Sequence, residues 1–396
     1  MTKKFIYTFF SSPMVWLYAV TFLVILPVIS KDLVYSVYRS SSLTRDLLQK
    51  KLLLDNAIAV KASEHYLSTM TPGISHFPST AKLVIVVITV RRFNGAEPVG
   101  YLTRVVTSLH RLLSEDHVSL QDRFLLICDA HAGPGMHEEA DNLRRHFYSV
   151  KRFPNGSAEA SIMNPFEKEK QDYIFCLQQA LNFLPEFVLV VEDDALPRND
   201  LFPVMRHLMK RLQDPDHHVK RTEVLSYVKL YYPERWQGYS FELQKMCELL
   251  GLFAFGATVF AAGQLYLSRQ RRLRSWTTEN WKTPFLGGLY LVIVAIAVGR
   301  QHLLELKRVF PSSYSMVSAP ECCSPSILYP SKSAGHIVLY LETVTCSHSM
   351  PLDIALDTYT STRSLTAYLV VPNVFRHIGF ISTMKGLSNY PEEFLI

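Results

Sequence analysis

The chain has 396 residues, enough for one large domain or two ordinary ones. Hydrophobic residues make up 48% and charged residues 19%, a balance that leans toward a membrane protein with a folded soluble part. The net charge of +6 comes without a long basic stripe, so no nucleic acid is expected as a partner. The six cysteines are too few for a disulfide scaffold and show no zinc-type CxxC spacing.

Lys3 and Lys4 (residues 1–4) precede an uncharged apolar run, Phe5 to Ser30. It exceeds the roughly 20 residues a bilayer span needs. The run is too long for a signal-peptide core and lacks a small-residue cleavage site before Lys31, which favours a retained anchor. Residues 31–80 read as a stem, with a charged helical stretch from Leu43 to Leu67 and then a Pro/Gly/Ser segment. Leu83 to Val90, continuously apolar and β-branched, is expected to be a strand buried on both faces. Leu102, Val105, Val106, Leu109, Leu112 and Leu113 give a helix by periodicity. Arg123 to Cys128 is a second strand, followed by a turn at His131 to Gly135 and a weak helix around Met136 to Phe147. Asn155-Gly156-Ser157 is an N-glycosylation sequon. Phe166 to Leu184 is helical, with Ile174, Leu177, Leu181 and Leu184 on one stripe. Phe187 to Val191 is a strand that runs into Glu192, Asp193 and Asp194. Pro203 to Leu212 reads as a helix, His217-His218 as part of a solvated loop, and Val224 to Tyr232 as a strand.

Two further apolar runs follow, Leu249 to Ser268 and Thr283 to Gly299. The basic connector between them, residues 269–282, belongs in the cytosol by the positive-inside rule, as do Lys3 and Lys4. Three spans would then put residues 31–248 and 300–396 on one non-cytosolic side. Gly251, Gly256, Ala261 and Gly263 in one span, with Gly287 and Gly288 in the other, suit close helix packing. Beyond the hairpin, His336 to Val344 and Leu365 to Asn373 read as two more strands.

This order defines an α/β protein with a mostly parallel sheet. In such sheets ligands bind outside the carboxyl ends of the strands, where the three acids lie. Alternation along an extended strand would aim Glu192 and Asp194 one way and Asp193 the other, although a turn beginning at Asp193 would change that. Converging carboxylates suit Mn2+ or Mg2+, with positions left for substrate phosphates. A solvated turn is the alternative. Cys128 and Cys176 could bridge, Cys322, Cys323 and Cys346 offer further pairing, and Cys247 stands at the membrane edge.

A cytosolic tail, anchor, stem and acidic motif together resemble a Golgi glycosyltransferase of GT-A fold. "NPFEKEKQDYIFCL" (Asn164 to Leu177), "VLVVEDDALP" (Val188 to Pro197), "YVKLYYPERWQ" (Tyr227 to Gln237), the inserted hairpin, "YSMVSAPECCSPSILYP" (Tyr314 to Pro330) and "PNVFRHIGFIS" (Pro372 to Ser382) resemble, more closely, the post-GPI-attachment-to-proteins factor four family. The resemblance covers residues 81 to 383 and implies one lumenal transferase domain, 81–248 plus 300–396, interrupted by the membrane hairpin. It also implies a multi-pass Golgi membrane location, UDP-GalNAc as donor and Mn2+ (or Mg2+) as cofactor. The implied acceptor is the first mannose of the glycan on GPI-anchored proteins, joined β1,4 with inversion. Carried over by position, Glu192, Asp193 and Asp194 match the metal motif, and His377 is a further candidate ligand. Lys170, Gln171, Asp172 and Tyr173 match the helix before that motif. Val90 and Arg91 are donor contacts, although Arg91-Arg92 stands where an acidic residue is expected. Asp353 is the candidate base, with Asp357 and Glu234 as rivals and a plain loop aspartate as the alternative. Transfer of another UDP-sugar, or a non-catalytic role in binding GPI-anchored cargo, are the competing readings. A transporter is disfavoured because the spans hold no ionisable residue.

Overall fold

The computed structural model describes residues 13–40, 45–71, 73, 80–94, 97–116, 122–133, 135–154, 164–213, 224–269, 281–381 and 391–394. Asn155, His217, His218 and most of the basic connector lie outside the described residues. The chain forms two compact units: Met1–Thr44 with Glu234–Leu306, and Arg45–Pro233 with Lys307–Ile396.

The larger unit is a mixed α/β layer structure. Besides a two-residue hairpin pair, Phe93–Asn94 with Glu97–Pro98, its strands are β1 (Leu83–Thr89), β2 (Arg123–Asp129), β3 (Tyr148–Lys151), β4 (Phe187–Glu192), β5 (Ala195–Pro197), β6 (Leu225–Lys229), β7 (Ser315–Ser318), β8 (Ser326–Pro330), β9 (Thr366–Val371) and β10 (Phe375–His377). Eight of them make one sheet in the order β3-β2-β1-β4-β8-β6-β9-β7. β1 pairs in parallel with β2 and β4, β2 with β3, and β6 with β9. β8 runs antiparallel between β4 and β6, and β7 antiparallel to β9, so the mostly parallel sheet carries an inserted reverse strand. β5 and β10 form a separate antiparallel ribbon.

Helices cover both faces: α1 (Arg45–Thr69), α2 (Tyr101–Glu115), α3 (Glu138–Leu143), α4 (Pro165–Leu181), α5 (Leu201–Gln213), α6 (Ser331–Thr343) and α7 (Leu352–Thr362). Alternation along β1 splits the core. Leu83, Ile85 and Val87 pack with Val105, Leu109 and Leu112 of α2 and with Leu201 and Leu208 of α5. Val84 and Val86 face Ile174 and Leu177 of α4, Ile337 of α6 and Leu356 of α7. Burial on both sides explains the unbroken apolar run of β1. Within the stretch read as a stem, α1 joins this unit: Asn56 Oδ1 accepts from Arg104 Nη1 at 2.6 Å, and the Tyr66 hydroxyl meets His110 Nδ1 at 2.9 Å.

The structure corrects one expected strand. Of His336 to Val344, all but the capping Val344 lies in α6, where Ile337, Val338 and Leu341 are buried while Leu339 is exposed. That spacing is helical, so one face outweighs the β-branched composition. Leu365 to Asn373 does contain strand β9. β3, β7, β8 and α7 are short elements that periodicity did not reveal.

In the smaller unit, Leu243–Tyr266 is long and apolar enough to cross a membrane, with only 6% of its apolar window buried. Lys282–Val298 is apolar too, and the chain bends by 102° into Arg300–Val309. Pro13–Ile29 is a shorter apolar helix. The expected small-residue packing holds at Gly256, where a Cβ would sit 2.6 Å from the Gly287 carbonyl oxygen, and at Gly287 and Gly288, where one would strike Phe260 and Phe253. Gly251 and Gly263 have open space around them. Arg300 donates to both carboxylate oxygens of Glu248 at 2.6 and 2.7 Å.

Candidate active site

β1, β2 and β4 run in parallel, so their carboxyl ends finish on one edge of the sheet. A cavity of about 490 Å3 opens there in the larger unit. Its lining comes from the end of β1 (Ile88 to Arg92), the loop after β2 (His131 to Gly133), one face of α4, the acids after β4, and Leu352, His377 and Gly379.

The acids do not continue the strand. β4 ends at Glu192, and Asp193 and Asp194 form a turn before β5. The alternation expected of an extended chain therefore gives way to three separate environments. Asp193 Oδ2 accepts from the Thr89 hydroxyl at 2.7 Å and from the Val90 amide at 3.3 Å, which ties the acidic turn to the end of β1. Arg92 reaches across the turn. Its Nη2 donates to Asp193 Oδ1 at 2.6 Å and its Nη1 to Asp194 Oδ2 at 2.7 Å. The β5–β10 ribbon sets His377 opposite Ala195, so that Nε2 lies 3.3 Å from Asp194 Oδ2. Gly379 makes this approach possible, because a Cβ there would lie 2.1 Å from Asp194 Oδ2 and 2.6 Å from His377 Nε2.

Electrostatics separate the three carboxyls. Burial first, and then the charge of Asp194, push Glu192 well above the usual carboxylate range. Burial also raises Asp193, against the pull of Arg92. Burial would raise Asp194 as well, but Arg92 and His377 outweigh it and hold the carboxyl well below the usual range. With all three ionised, as a bound divalent cation would favour, one guanidinium leaves two negative charges for that cation to balance. Asp194 Oδ1 is buried with no hydrogen-bond partner, and no hydrogen bond or ion pair reaches the Glu192 side chain among the described residues. An orphaned carboxylate oxygen, a second carboxylate and an imidazole nitrogen are donor types that suit Mn2+ or Mg2+, though the three are not gathered as tightly as the Cys322, Cys323 and Asp353 atoms are.

α4 supplies another wall. Asn164 caps it, its Oδ1 accepting from the Phe166 amide at 2.9 Å. Lys168, Glu169, Asp172 and Tyr173 share the face that lines the cavity. Of the four residues expected from this helix, only Asp172 and Tyr173 do so. Lys170 is turned away, donating to the Val344 carbonyl at 2.5 Å and pairing with Glu167 at 2.8 Å, and Gln171 also donates to Glu167. Asp172 is held by Arg152 and by Lys168. Val90 and Arg91 line the cavity, and the Arg91 guanidinium stacks on the Phe93 ring at 4.0 Å.

Asp353 is not among the lining residues. Its Oδ2 accepts from the Cys323 amide and its Oδ1 from the Ile354 amide, both at 2.9 Å. Asp357 lies a turn further along α7, and Glu234 is in the smaller unit. Cys128 bonds to Cys176, clamping β2 to α4, and Cys322 bonds to Cys323. Cys346, expected as a further pairing partner, is unpaired and buried, whereas Cys247 is free and exposed. Sequence reasoning missed Lys168, Glu169 and His131. The position of the His131 loop after a parallel strand was the signal available for that residue.

Buried carboxylates thus stand beside Arg91 and Lys168 at the carboxyl edge of parallel strands, where α/β sheets bind their ligands. The chain belongs to the GPI-N-acetylgalactosamine transferase PGAP4 family, whose model matches residues 83–376. Among solved structures, the mannosyltransferase PcManGT from Pyrobaculum calidifontis, in complex with GDP-Man and Mn2+, is similar at 15% identity with a TM-score of 0.23. The match covers 48% of this chain, which spans 47% of that one.

Proposed function

We propose that this protein transfers N-acetylgalactosamine from UDP-GalNAc to the first mannose of the glycan on GPI-anchored proteins, forming a β1,4 bond with inversion at the donor carbon. Membership of the family over 83–376, a range that contains the acidic turn and most of the cavity, carries this reading. Glu192, Asp194 and His377 would hold Mn2+ or Mg2+, which offsets the charge of the departing diphosphate. Asp193 does not share that duty; with Thr89 and Arg92 it keeps the turn in register with β1. Arg91 projects into the cavity with its Nε buried and unpartnered, and its guanidinium can pair with phosphate oxygens of the donor.

We also read the chain as a multi-pass Golgi membrane protein with its larger unit in the lumen. The Cys128–Cys176 disulfide supports this, because such bonds persist in oxidising compartments. The apolar helices of the smaller unit support the membrane part. The test is donor screening of the detergent-purified full-length chain with Mn2+, scoring UDP release and transfer to a mannosyl glycolipid. Transfer is expected from UDP-GalNAc; transfer only from another UDP-sugar would overturn the donor assignment.

A further inference from the structure

We propose that Glu169 is the catalytic base that takes the proton from the acceptor hydroxyl. The inference rests on the transferase reading above and supplies the residue that reading lacks. An attacking hydroxyl needs a carboxylate that is inside the cavity, not already bonded, and not part of the cation's donor set. Asp193 is committed to Thr89, Val90 and Arg92. Asp194 is committed to Arg92 and His377, and its remaining oxygen stands with Glu192 in the cation's donor set. Asp172 is committed to Arg152 and Lys168. Glu167, on the same helix, is taken by Lys170, Gln171 and the Cys346 amide. Glu169 lines the cavity from α4, and no hydrogen bond or ion pair reaches its carboxylate among the described residues.

Its surroundings suit the role. The acids that face it are Asp353 from α7, Asp172 along its own helix and Glu192 from the end of β4. Burial, then Asp353 and Asp172, push the Glu169 carboxyl up, which makes it a better proton acceptor than a surface glutamate. The step balances. The acceptor oxygen bonds to the anomeric carbon, and the bond from that carbon to the diphosphate oxygen breaks with its electron pair staying on the diphosphate. The hydroxyl proton passes to Glu169.

The test is Glu169→Gln in the full-length protein, assayed with UDP-GalNAc, Mn2+ and a mannosyl glycolipid acceptor. A kcat lower by about 10³-fold is expected, with the KM for UDP-GalNAc unchanged within about threefold and Glu169→Asp recovering part of the rate. The fall of the wild-type kcat at acidic pH, where a carboxylate base is protonated, should be absent from the residual activity. A Glu169→Gln enzyme with kcat within tenfold of wild type, or one that no longer binds UDP, would overturn the proposal. If that variant does not fold, Glu169→Asp decides, and an unchanged kcat and pH profile in it would overturn the proposal. A wild-type protein that transfers no sugar to the acceptor counts against the transferase reading itself, which separates the two failures.

Discussion

Two buried polar regions of the larger unit use the same kinds of residue to opposite ends. One surrounds Lys229, which is fully buried on β6. Its ammonium donates to the carbonyls of Pro320 at 2.7 Å, Glu321 at 3.1 Å and Cys322 at 2.9 Å. Beside it, Asp353 accepts two backbone amides, and the Cys322 and Cys323 sulfurs are bonded to each other. Cys322, Cys323 and Asp353 lie close enough to suggest a metal site, yet their donor capacity is already taken. The other region is the cavity, where Glu169, Glu192 and Asp194 Oδ1 are left without hydrogen bonds. A buried polar group without a partner costs free energy, so a region that keeps several of them has a reason outside the fold itself. Saturated clusters hold the chain together; unsaturated ones wait for a ligand.

Substitutions on each side should sharpen that contrast. After Glu169→Gln, the largest effect is expected at Gly379. Gly379→Ala places a methyl where Asp194 and His377 must meet, and transfer should fall by about 10²-fold or more, since small misplacements of reacting groups carry such costs. The melting temperature should change much less. A Gly379→Ala enzyme with normal turnover would mean that the Asp194–His377 approach is not needed. Lys229→Met should do the reverse. Leaving three buried carbonyls without their donor should lower stability by about 2–3 kcal/mol, read by chemical denaturation, while kcat per folded molecule stays near wild type. The smallest effect is expected for Asp353→Asn. It keeps one hydrogen bond from a backbone amide in weaker, neutral form and loses the other, because the Asn Nδ2 cannot accept, a cost of about 1–2 kcal/mol, and it should leave kcat within about threefold of wild type. A collapse of kcat in Asp353→Asn with stability intact would return that residue to the chemistry and break the comparison.

Much of this was legible in the residues taken in order. The unbroken apolar runs of β1, β2 and β4 announce strands covered on both faces, and the stripes on α2 and α4 announce helices. The acids at Glu192 to Asp194 stand out by charge, and their place after a buried strand points to the carboxyl edge of the sheet. His336 to Val344 was less legible, because a β-branched composition competed with helical spacing in a segment that only tertiary contact could assign. The resemblance carried over from family motifs put Lys170 and Gln171 in the site, but a helix divides neighbouring residues between its faces, and the cavity took Lys168 and Glu169 instead.

Local order along the chain thus determined which segments are strands and helices and where acidity concentrates, since periodicity and charge are properties of a short window. The tertiary structure alone decided which carboxylates are spent and which are available. Arg92 meets Asp194 across 102 positions of sequence and His377 meets it across 183. Those pairings arise where β1, β4 and the β5–β10 ribbon converge, and they leave Glu169 and Glu192 with unmet hydrogen-bonding capacity inside the cavity.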